Sequence, residues 1–170
     1  MRPIPTSAIV ALAIVIVVGV QRLYPRTVRP ERMIVFPLLL VLFGANSLYA
    51  LFPGADPAYA AAAVLACGVG MLLGWVHAAR WQVHFDAAKR LVRVPGDPSL
   101  LAILLVTYGA HFFLHFAVES HQPWAASGGF EFVSFAAWGL LAGMPLGRST
   151  NVLLRYMRIE NGRGSAPTLE

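Results

Sequence analysis

An all-α membrane protein with a bundle of five transmembrane helices is the fold class this sequence predicts, and three observations carry it. Of the 170 residues 58% are hydrophobic and only 12% charged, where a soluble domain has roughly a quarter of its residues charged. Five apolar stretches of near-membrane length are separated by short polar loops. The basic residues gather in alternate loops. With a mean hydropathy of +0.66 and about 20 residues needed per span, the chain has room for five or six spans and none for a separate soluble domain. Residues 1–159 are therefore read as one polytopic domain and 160–170 as a disordered tail.

The spans are placed at about residues 4–20, 33–52, 58–76, 99–118 and 127–147. The first is entered through Pro3 and Pro5 and closed by Gln21, Arg22 and Pro25. It is read as a retained helix rather than a signal peptide, because four arginines follow it and no small-x-small cleavage site ends it. Pro37 and Asn46 lie inside the second span, where neighbouring helices can satisfy the freed backbone and amide groups. Pro53 to Pro57 forms a tight turn. Pro145 ends or bends the fifth span. Beyond it a short amphipathic helix through Ile159 or a kinked continuation of the fifth helix is expected.

Orientation follows from the bases, which are retained on the cytoplasmic side when they lie close to span ends. Arg2 precedes the first span, and the first loop carries Arg22, Arg26, Arg29 and Arg32. The third loop carries Arg80, Lys89, Arg90 and Arg93, the tail Arg148, Arg155, Arg158 and Arg163, and the second and fourth loops none. The amino terminus is thus expected outside and the carboxyl terminus in the cytoplasm. The net charge of +5 is a topology signal that also attracts anionic headgroups. Bases spread over three loops without a recognised module argue against nucleic acid.

In the third loop Trp81, Val83 and Phe85 alternate with Gln82 and His84, and Leu91, Val92 and Val94 follow. This predicts a short β-ribbon between the third and fourth helices, lying against the bundle or the headgroups. The glycine-rich GVGMLLGW, followed by RWQVHFDAAKRLVRVPGDPSLL and a further span, resembles the small bacterial inner-membrane proteins of the CcdC-like type. The matching landmarks are Gly70, Gly74, Asp86, Pro95, Gly96 and Ser99. The resemblance implies a multi-span helical protein of the bacterial inner membrane with no assigned activity.

Two patterns inside the spans stand out. Ala58, Ala62, Ala66, Gly70, Gly74 and Ala78 recur every four residues, and Gly139, Gly143 and Gly147 repeat the spacing. Such strips let helix backbones approach closely, so the third and fifth helices are expected to be neighbours, or to use these faces towards a second copy or a partner membrane protein. In the fourth span Thr107, Tyr108, His111, His115 and Glu119 form one polar face. Asn46, His121 and Glu131 are expected to join it in a polar seam near the outer surface.

Two imidazoles four residues apart can share a metal ion, with a carboxylate completing the set, which makes His111, His115 and Glu119 candidate ligands. The rival readings are a proton or solute path along the same seam, and histidines that only hydrogen-bond within the bundle. A lone Cys67 excludes an internal disulfide and a Cys-x-x-Cys pair. No phosphate loop, dinucleotide fingerprint or nucleophile elbow occurs. The expectation is a structural or accessory membrane component without its own catalytic activity or cofactor, the alternatives being a protein that binds a metal ion or haem on the polar face of the fourth helix, or a small proton or solute transporter.

Overall fold

The computed structural model describes residues 6–86 and 91–164. The elements run α1 (Thr6–Gln21), β1 (Arg26–Val28), α2 (Pro30–Leu51), α3 (Pro57–Ala79), β2 (His84–Asp86), β3 (Leu91–Val94), α4 (Pro98–Glu119) and α5 (Gly128–Gly164), with a 3₁₀ turn at Pro123–Ala126 before α5. Four of the five helices, α2 to α5, are long and apolar enough to cross a membrane. The 16 residues of α1 span about 24 Å at 1.5 Å per residue, against a hydrocarbon core of about 30 Å. Residues 4 and 5, where the first span was expected to begin, lie outside the described residues.

The outward faces are apolar: on α3, Val64 and Leu65 are 71% and 73% exposed. Water would penalise such faces, whereas lipid covers them at no cost. The chain is a multi-pass membrane protein.

Three helices start the same way. Arg29, Asp56 and Asp97 each precede a proline at the first helical position, where the missing N–H would have had no helical partner. The carboxylates of Asp56 and Asp97 accept the amides of Ala58 at 2.8 Å and Ser99 at 3.0 Å, capping the first turns of α3 and α4.

α5 does not end at Pro145. The proline removes one backbone donor, whereas ending the helix within the bilayer would orphan several groups. Residues 160–164, expected in a disordered tail, belong to this helix, and 165–170 lie outside the described residues.

The central contact is α3 against α5. A Cβ placed on Gly139, Gly143 or Gly147 would collide with the carbonyls of Ala63, Cys67 or Met71, and one on Gly70 or Gly74 with those of Leu140 or Met144. The small residues let the backbones touch, which supplies the dispersion that drives association in lipid. These glycines therefore face one another within the chain. α2 packs on another side of α5, with Gly44 against Trp138, and α1 packs on α4, with Gly19 against Leu101.

The bundle has two different ends. At one, Leu48, Phe52 and Phe135 form a core with Tyr59, Leu114 and Trp138. At the other sits a three-stranded antiparallel sheet of order β1-β3-β2. Alternation along β3 buries Val92 and Val94 and exposes Arg93. The two valines pack on Val152 and Tyr156 of α5. Val92 pairs with Val28 on one side and Phe85 on the other. Strand β1, from the first loop, has no counterpart in the sequence reading.

Candidate functional site

The polar groups of the sheet-bearing end converge on Asp97. Its main-chain N–H donates to the carbonyl of Arg22 at 2.9 Å. Carboxylate oxygen Oδ1 accepts the Ser99 amide at 3.0 Å and the Ser99 hydroxyl at 2.5 Å. Oδ2 accepts Nη1 of Arg148 at 2.5 Å, and Nε2 of His77 lies 3.8 Å from Oδ1. Asp97 is 6% exposed and Arg148 5%. The carboxylate thereby joins the end of α3, the start of α4 and the middle of α5, and the main-chain N–H of the same residue ties in the segment leaving α1. Both charges are taken out of water, a cost that their short contact and the additional donors on Asp97 offset.

Because α5 continues past Pro145, Arg148, Asn151 and Arg155 share a stripe at helical spacing. Asn151 Nδ2 donates to the Trp75 carbonyl at 3.4 Å. Arg155 Nη1 donates to the Trp81 carbonyl at 3.2 Å and stacks 5.9 Å from the Phe85 ring centroid. The stripe fastens the helix to the segment leaving α3 and to the sheet.

Serine, histidine and aspartate meet here without forming a hydrolytic relay. Ser99 Oγ, 3.4 Å from Nε2 of His77, and Asp97 face the same ring nitrogen, and the hydroxyl donates to Asp97. A relay needs the carboxylate on one imidazole nitrogen and the nucleophile on the other.

The Asp97–Arg148 pair walls a cavity of about 60 Å³, which Arg22, Arg26, Arg32 and Trp81 also line. Arg22 is half-buried there, its guanidinium 5.5 Å from the Phe36 ring centroid, and burial pulls its pKa below the ordinary arginine value. Nε of Arg148 is buried without an acceptor among the described residues.

The residues expected to form an outer polar seam are not gathered in one place. The rings of His111 and His115 lie 4.5 Å apart. His115 Nδ1 is 3.4 Å from Glu119 Oε1, and the Glu119 side chain is 67% exposed. Among the described residues no group of three His, Cys, Asp or Glu side chains converges as a metal ion requires. Thr107 is buried with its hydroxyl unpartnered among the described residues, Tyr108 is half-buried, and Asn46 is exposed on α2. His121 and Glu131 instead line a separate cavity of about 420 Å³ with Phe52, Val118 and Gln122. His121 holds a φ of 51° in the turn after α4, a left-handed position common where helices end.

Of the basic face, Arg29, Arg93 and Arg158 are exposed at the sheet end, while Lys89 and Arg90 lie outside the described residues. Sequence reasoning missed Asp97, although an acid before a proline and an apolar run is a helix-start signal. It read Arg148 only as a topology charge. No family model, curated protein or solved structure matches the chain.

Proposed function

We propose that the chain is a structural or accessory component of a bacterial cytoplasmic membrane, with its amino terminus outside and its sheet-bearing, arginine-rich end in the cytoplasm. The observation that carries this reading is the use of Asp97. A buried carboxylate, a serine and a histidine, the groups most able to do chemistry, are spent on joining three helices. A kinship with the CcdC-like inner-membrane proteins, through the Gly70–Gly74 span and the following loop, is part of the same proposal. α1 is the fifth span in this scheme, its short length met by local thinning of the bilayer and by flanking residues reaching the interface.

An accessory protein needs a lipid-facing surface for a partner, and the exposed ridge of Val64, Leu65, Val69 and Leu72 on α3 supplies one. A photo-crosslinking residue placed at Leu65 in native membranes is expected to yield a discrete adduct with another membrane protein. Adducts with lipid alone would contradict the accessory role.

A further inference from the structure

We propose that the cavity beside the Asp97–Arg148 pair binds a phosphate group. Four arginines line it, Arg22, Arg26, Arg32 and Arg148, against one carboxylate, Asp97. That carboxylate is already occupied by Arg148, the Ser99 hydroxyl and the Ser99 amide. Among the described residues the remaining three guanidiniums have no carboxylate partner. A half-buried cation such as Arg22 is costly unless an anion compensates it.

Arg148 supplies the second observation. Its side chain lines the cavity and is 5% exposed, and its Nε donor has no acceptor among the described residues. A buried donor left unsatisfied is destabilising, and an oxygen-rich anion in the cavity would supply the acceptor. Size agrees: the roughly 60 Å³ corresponds to about four to six water-sized spheres at about 10–15 Å³ each, the scale of one phosphate group. The residue type agrees too, since forked guanidinium donors match phosphate oxygens, which a lysine point charge does not do.

The ligand class is therefore a phosphate group with at least one negative charge. Arg22 and Arg32 flank span ends, and Met33, Phe36 and Leu100 continue the lining as apolar wall. A lipid headgroup and a free phosphate both satisfy this chemistry.

The test uses the full chain in maltoside micelles, titrated calorimetrically with inorganic phosphate, with dioctanoyl phosphatidic acid and with phosphate-free dioctanoylglycerol. Saturable binding of inorganic phosphate that competes with phosphatidic acid supports the site with a free phosphate as ligand. Binding of phosphatidic acid alone, with dioctanoylglycerol inert, supports it with a lipid headgroup. The double variant Arg22→Gln, Arg32→Gln is expected to weaken binding by about tenfold or more, and Arg158→Gln, on the exposed basic face, to leave it unchanged. Should the double variant fail to fold, Arg32→Gln alone, which alters an exposed side chain, carries the comparison. Failure of wild-type protein to bind either phosphate probe at millimolar concentration overturns the proposal. So does undiminished binding by the folded variant.

Discussion

Replacing Arg148 by methionine would keep the side-chain volume and leave the Asp97 carboxylate buried with Ser99 as its close donor. Breaking one half of a buried pair costs about 3–5 kcal/mol, and removing both halves costs less than the sum. The variants Arg148→Met, Asp97→Asn and their combination, unfolded chemically in detergent, are expected to show coupling of at least about 1 kcal/mol. Additivity within about 0.5 kcal/mol would mean that the two residues act independently. Asp97 was legible as a helix start but not as a tie, because its partner is 51 positions away. Recognising Arg148, Asn151 and Arg155 as one stripe requires knowing that the helix continues through Pro145. The histidines of α4 show the converse. Their spacing was legible, but spacing does not say whether a helix face meets a third ligand.

At the scale of elements, the α3–α5 contact and the sheet hold the bundle together. Gly143→Leu drives a side chain into the Cys67 carbonyl and the Met71 amide, and overpacking of this kind costs about 1–3 kcal/mol. Gly68 has open space beyond it, so Gly68→Leu is expected to change stability by no more than about 0.5 kcal/mol. Thermal unfolding of the two variants in the same detergent separates them, and equal losses would argue against this contact. On the sheet, Val92→Ala removes two methylene equivalents from a fully buried position, a loss of about 2 kcal/mol. Hydrogen exchange should then rise at Val28 and Phe85, the cross-strand partners of Val92; unchanged exchange there would detach the sheet from the valine core. The small-residue spacing of α3 and α5 made their adjacency readable from the chain. Strand β1 was not readable, since three residues, Arg26 to Val28, are too short for alternation to register. The packing of α1 on α4 carries no repeating pattern of its own.

For the whole molecule, apolar length and composition made the membrane class and the helical stretches legible, because the bilayer imposes both. The bases add a direction. The arginines before, within and after the sheet lie at one end of the bundle, while the Pro53–Asp56 turn at the other carries none. If the positive end is cytoplasmic, both the Asp97 tie and the arginine-lined cavity face the cytoplasm. The measurement that tests this most directly is labelling of intact cells with a membrane-impermeant maleimide, on a Cys67→Ser background with a single cysteine introduced as Gly54→Cys or Thr27→Cys. Gly54→Cys is expected to label from outside, and Thr27→Cys only after permeabilisation. Labelling of Thr27→Cys in intact cells, with Gly54→Cys protected, would reverse the orientation and contradict the account.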